Sequence, residues 1–231
     1  MAIASPNVTA DPAYHSCTGA GLAVRYLNHQ QVADLAERCG PYRTLVLTLA
    51  YTGIRWSEAA GLRVHRLDLL RRRIEVAEAV VDVNGRLVFG TPKNHQTRSV
   101  PVPRFLVDDL AAQLAGKAPA ELAFTFLRGA TLRVQSFRRS YFDRASASAG
   151  LDGLVPHELR HTAASLAIGS GANVKAVQRM LGHVSASMTL DRYGHLSGEE
   201  LDAVADRLDT QRADSLRTRR GPAAVSQLAS R

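Results

Sequence analysis

Ile74-Glu75-Val76-Ala77-Glu78-Ala79-Val80 alternates apolar and polar residues with period two, Asn84-Gly85 is a strong turn signal, and Leu87-Val88-Phe89 resumes an extended pattern. Arg98-Ser99-Val100-Pro101-Val102-Pro103 fits an edge strand ended by its prolines. Together these stretches predict a small three-stranded antiparallel sheet, with Lys93 in the connection between the second and third strands.

On both sides of the sheet the periodicity changes to that of helices. Val32, Leu35 and Ala36 follow Asn28 at helical spacing, Gly40-Pro41 interrupts, and Leu45 to Ala50 begins a more buried helix. Thr52-Gly53 turns the chain into a helix carrying Arg55 to Leu62. Beyond Pro103, apolar stripes run through Leu106–Leu114, Val134–Ala147 and Pro156–Ile168, the last with Pro156 inside its start and Gly169 past its end. Asn173 and Ser185 are N-caps for short helices ending near Gly182 and Tyr193, and Ser197 caps another to about Leu208. The predicted class is α+β, mainly α-helical, with one small antiparallel sheet.

Residues 1–26 carry Pro, Gly, Ser, Thr and Ala without periodicity, and read as a flexible tail or linker remnant; residues 209–231 read as a basic mobile tail. The ordered part is expected over 27–208. Of the 231 residues, 45% are hydrophobic, enough for a sizeable core. A net charge of +8 and a pI of about 10.1 favour a polyanionic partner, most simply nucleic acid. Cys17 and Cys39 lack metal-ligand spacing and read as free thiols in a reducing compartment. The start lacks a signal-peptide pattern, and no run of roughly eighteen apolar residues suggests a membrane span, so a cytoplasmic location is expected.

The chemistry-bearing residues are Arg55, His157-Glu158-Leu159-Arg160-His161-Thr162, Leu181-Gly182-His183 and Tyr193 within Leu190-Asp191-Arg192-Tyr193-Gly194-His195. They outline a metal-free site for phosphoryl chemistry, which needs cationic donors for the non-bridging oxygens, a base, an acid and a nucleophile. Arg55 and Glu58 stand three apart on a helix, as do His157 and Arg160, so each pair can serve one place. Guanidinium forks match phosphate oxygens, with Glu58 orienting rather than reacting. Of 29 basic residues only Lys93, Lys117 and Lys175 are lysines. A group that must give up a proton cannot usefully be arginine, which makes Lys93 chemically apt.

Taken singly, each residue has a plainer reading. Tyr193 is a half-buried aromatic at a helix end, and Arg55 with Glu58 is an exposed ion pair worth less than about 1 kcal/mol. His157-Glu158-Leu159-Arg160-His161 has the order of a zinc-binding His-Glu-x-x-His, but no third ligand is evident. His161 is assigned to helix packing or an interhelical hydrogen bond, His195 to the region after the nucleophile, and Trp56 to the core.

Read together, Thr52-Gly53-Ile54-Arg55-Trp56-Ser57-Glu58-Ala59-Ala60-Gly61-Leu62, the Lys93 segment ending Arg98-Ser99-Val100-Pro101, His157 to Thr162, Leu181-Gly182-His183 and Tyr193 resemble the successive motifs of tyrosine recombinases, the phage-integrase family. The resemblance spans roughly Leu27 to Leu208 and implies a catalytic domain without the separate core-binding domain of longer members. It implies site-specific recombination or DNA integration, with Tyr193 cleaving DNA through a 3′-phosphotyrosine. By the same resemblance Arg55 and Arg160 hold the phosphate, Lys93 protonates the leaving 5′ oxygen, His157 moves the tyrosine proton and His183 hydrogen-bonds the phosphate. No metal or other cofactor is implied. The implied partners are double-stranded DNA at attachment-type sites, three further copies in a tetramer on DNA, and accessory bending or excision factors; the free protein is expected to be monomeric. Two other readings stay open: a catalytically idle, truncated DNA-binding remnant, and relaxation of supercoils through the same phosphotyrosine.

Overall fold

The computed structural model describes residues 25–91 and 97–182. Helix α1 (His29–Arg38) opens with a capping box in which Asn28 accepts the Gln31 N–H and Gln31 reciprocates. A single 3₁₀ turn (Gly40–Tyr42) containing Pro41 then leads into α2 (Arg43–Thr52). This second helix is buried almost throughout, and Gly53 ends it in the left-handed region at φ 64°. A short α3 (Trp56–Ala60) follows.

Three strands, β1 (Leu67–Asp68), β2 (Arg73–Val76) and β5 (Arg98–Pro101), form an antiparallel sheet in the order β1-β2-β5. Between β2 and β5 the chain makes a separate antiparallel hairpin, β3 (Ala79–Val83) and β4 (Arg86–Gly90). Asn84 and Gly85 both take positive φ at its tip, the backbone that a tight two-residue turn requires. The expected three-stranded antiparallel sheet is present, but its membership differs. The alternating Ile74–Val80 stretch is two strands, not one; it breaks at Ala77-Glu78, where Glu78 accepts from Arg63 Nε at 2.9 Å. The last strand pairs with β2 rather than with Leu87–Phe89, in the register Ile74↔Val100 and Val76↔Arg98. Period-two alternation specifies which face a residue takes and leaves the partner strand open.

Helix α4 (Val107–Leu114) follows the sheet. Residues 134–148 then form one helical run with a π turn at Arg138–Phe142 between α5 (Val134–Phe137) and α6 (Asp143–Ser148). The wider turn carries Phe137 and Phe142, five positions apart, onto the inward face with ring centroids 5.7 Å apart. Trp56 stacks on Phe137 at 4.8 Å at the edge of this core, as its sequence position suggested. Leu35, Leu45, Leu49, Ile54, Ile74 and Leu106 are also fully buried here. Each such side chain contributes about 1.5–3 kcal/mol by leaving water. Cys39 is a buried free thiol whose pKa burial pushes up to about 12.

Helix α7 (Glu158–Gly169) packs on α2, and α8 (Val174–Leu181) packs on both α7 and β5. The α7 segment opens with a turn of i−3 bonds from Val155 onward, and the Glu158 carboxylate caps the Val155 N–H at 2.8 Å. Regular α-helix therefore starts two residues after Pro156 and includes Gly169. Asn173 caps α8 through Lys175 N at 2.8 Å, and Gly182 closes it at φ 67°. Among the described residues no helix is long and apolar enough to cross a membrane. The expected helices capped by Ser185 and Ser197, residues 1–24 and 209–231 of the flanking tails, and Cys17 lie outside the described residues.

Candidate active site

The loop between α2 and α3, the start of β5, the first turns of α7 and the end of α8 meet around one buried carboxylate. Glu58 has a side chain only 1% exposed. Its Oε2 accepts the backbone N–H of Arg55 at 2.7 Å and Arg98 Nη2 at 2.6 Å; its Oε1 accepts Arg55 Nη1 at 2.9 Å and Arg98 Nη1 at 2.8 Å. Burial by itself would raise the Glu58 pKa. The Arg98 hydrogen bonds and the charges of Arg98 and Arg55 outweigh it and bring the carboxyl down to about 2. Glu58 is therefore an anion at neutral pH that orients its neighbours, and burial replaces the exposed ion pair of the plainer reading.

Arg160 is buried on α7 and donates from Nη1 to the Gly53 carbonyl and from Nη2 to the Leu181 carbonyl. Those two bonds fix its guanidinium plane between the C-terminal ends of α2 and α8. Gly53 permits the close approach: a Cβ there would lie 2.6 Å from Leu181 Cδ2 and 3.2 Å from Ala163 Cβ. His157 stands immediately before α7, half-buried, with its ring edge-on to that of His161 at 5.2 Å. His161 is buried among the helices, matching its assignment to packing.

Arg55, Glu58 and Arg160 are thus gathered at one junction, with His157 one turn before Arg160. Lys93, His183 and Tyr193 lie outside the described residues; Gly182, the residue before His183, closes α8 at this junction. Arg98 belongs to the same cluster and was not picked out from the sequence. Its signal was available, because Arg98 and Val100 share one face of a strand by period two, and Val100 is fully buried.

Residues 25–200 match the family model described as the phage integrase family. The chain belongs to the phage integrase family. Among its relatives, a tyrosine recombinase XerC from Corynebacterium efficiens is 35% identical over 161 residues, 68% of this chain and 47% of that protein. The integrase of Escherichia phage 186 is 28% identical over 189 residues, 79% of this chain and 48% of that protein. The chain spans about half the length of these relatives. In fold it is similar to the Tn1549 transposon integrase solved with a circular intermediate DNA, with TM-score 0.69 and 21% identity over 82% of this chain and 68% of that one. It is also similar to the catalytic domain of bacteriophage HP1 integrase, with TM-score 0.56 and 23% identity over 80% of this chain and 95% of that domain. The α+β class read from the sequence agrees with these folds.

Proposed function

We propose that this phage integrase family chain cleaves and rejoins DNA in site-specific recombination or integration, through a covalent 3′-phosphotyrosine at Tyr193. The Tyr193 oxygen attacks the phosphorus, the phosphodiester bond to the 5′ oxygen breaks, and that oxygen leaves as a hydroxyl after taking a proton from Lys93. His157 receives the tyrosine proton. Attack by another 5′-hydroxyl on the phosphotyrosine reverses the step and joins a new strand, so the phosphodiester bond count is conserved. Arg55 and Arg160 neutralise the non-bridging oxygens, His183 adds a hydrogen bond, and Glu58 holds Arg55 in place.

The observation that carries this reading is the pair of arginines held at one helix junction: Arg55 on the anionic Glu58, and Arg160 on the Gly53 and Leu181 carbonyls. Preorganised guanidinium groups suit a reaction whose charge grows on phosphate oxygens. Residues 27–208 act as the catalytic domain in this reading, flanked by the 1–26 and 209–231 segments. The partner is double-stranded DNA at attachment-type sites, in keeping with the net charge of +8 and with the DNA-bound state of the Tn1549 integrase relative. Free protein is monomeric, four copies assemble on two duplexes, accessory bending or excision factors assist, and the reaction takes place on DNA in the bacterial cytoplasm.

Incubation with labelled, nicked suicide duplexes from a candidate attachment region, followed by denaturing electrophoresis, tests the proposal. The parent chain should form a covalent protein–DNA adduct, and Tyr193→Phe should lose it while keeping salt-sensitive binding. Binding without any adduct from the parent chain would make the protein an idle DNA-binding remnant.

A further inference from the structure

We propose that Arg98 is a positioning residue that holds Arg55 in register for the scissile phosphate by occupying both oxygens of Glu58; this rests on the function proposed above. Arg98 is spent on protein acceptors. Its two terminal nitrogens bond the two Glu58 oxygens at 2.8 and 2.6 Å, and its Nε donates to the Met180 carbonyl at 3.1 Å. Its side chain is 11% exposed, against 27% for Arg55. The more open guanidinium is therefore the one suited to meet DNA, and the more enclosed one the one suited to brace it.

The reason for a second arginine lies in the geometry of the fork. A carboxylate facing a lone arginine can take two of its N–H groups side by side, and those donors are then withdrawn from a phosphate. Here Arg98 makes the bidentate contact, and the Arg55 side chain meets Glu58 through Nη1 alone. The same side chain steadies the turn before His183. A Cβ on Gly182 would lie 2.9 Å from Arg98 Cδ and 3.1 Å from its Nε, so the backbone at the end of α8 rests directly on the Arg98 stem. Arg98 is also the first residue of β5, five positions after Lys93 in the sequence. One side chain thus joins the Arg55 loop to the helix end preceding His183.

The test compares single-turnover adduct formation by the parent chain, Arg98→Met, Arg98→Lys and Arg55→Met, using a nicked duplex on which the parent forms adduct. Each protein is given the normal phosphate and, separately, a neutral methylphosphonate at the scissile position. A neutral centre needs less cationic stabilisation, so an enzyme impaired at Arg55 gains relative to the parent on methylphosphonate. Arg98→Met should slow cleavage of the normal phosphate by about 10²–10³-fold, the effect of losing one transition-state donor. Its methylphosphonate-to-phosphate rate ratio should rise at least about tenfold above that of the parent, as in Arg55→Met. Arg98→Lys retains the charge without the fork; it should show a smaller loss with the same preference, and it carries the test if Arg98→Met fails to fold. Equal losses on both substrates, or parent-like rates, would overturn the role of Arg98 while leaving the proposed reaction intact. Absence of adduct from the parent chain on every duplex would instead overturn the reaction.

Discussion

Glu58→Gln removes one charge from the junction and keeps its shape. In the native protein burial works against ionisation, but Arg98 and Arg55 prevail and hold the Glu58 pKa at about 2 against an ordinary 4.5. At about 1.4 kcal/mol per pH unit, that gap corresponds to about 3 kcal/mol of stability at neutral pH. The figure is close to the roughly 3–5 kcal/mol lost when one member of a buried ion pair is removed. A carboxyl with a depressed folded pKa stabilises fully above its unfolded pKa and loses that contribution as the pH falls through the folded value. The Glu58 contribution should therefore be complete well above pH 4.5, fall below half by about pH 3 and vanish below about pH 2. Urea denaturation of the parent chain and Glu58→Gln at several pH values measures it, because the difference between the two cancels the other carboxylates. We expect a gap of about 3 kcal/mol at pH 7 that narrows on acidification. A gap below about 1 kcal/mol at pH 7, or one that does not vary with pH, would refute the ion-paired junction.

Gly53→Ala should destabilise the fold by about 1–3 kcal/mol, because φ is 64° there and the new methyl would meet Leu181 Cδ2 at 2.6 Å. Calorimetry should show the melting temperature falling by several degrees, and an unchanged value would contradict the packing of α2 on the end of α8. Lys93→Arg keeps the positive charge but withdraws a proton that can be transferred. DNA binding, read by salt titration, should survive, while adduct formation slows by about 10²–10⁴-fold; parent-like cleavage would remove Lys93 from the role of acid.

The local signals in this sequence were strong where they depended on neighbours along the chain. Asn28 and Asn173 cap their helices, and Asn84-Gly85 turns its hairpin with positive φ at both residues. Strand pairing was less legible: the Ile74–Val80 alternation conceals a switch from one sheet to another at Ala77-Glu78. The π turn at Arg138–Phe142 was equally hidden, since Val134–Ala147 satisfies an ordinary helical stripe. At the site, Arg55, Glu58, His157 and Arg160 stood out as residue types in a recognisable order. The burial of Glu58 did not, because it arises from the Arg98 strand and the end of α8, far away in sequence. A charged residue at the start of an edge strand reads as solvated, and only the inward-facing Val100 argues otherwise for Arg98.

The central claim is a covalent bond between Tyr193 and the 3′ phosphate of cleaved DNA. Adduct trapped on a nicked suicide duplex, digested with protease and nuclease and sequenced by mass spectrometry, reads that bond directly. The account predicts a Tyr193 peptide carrying a nucleotide through its 3′ phosphate, with a free 5′-hydroxyl on the released strand. A link at another residue, or through a 5′ phosphate, would contradict it.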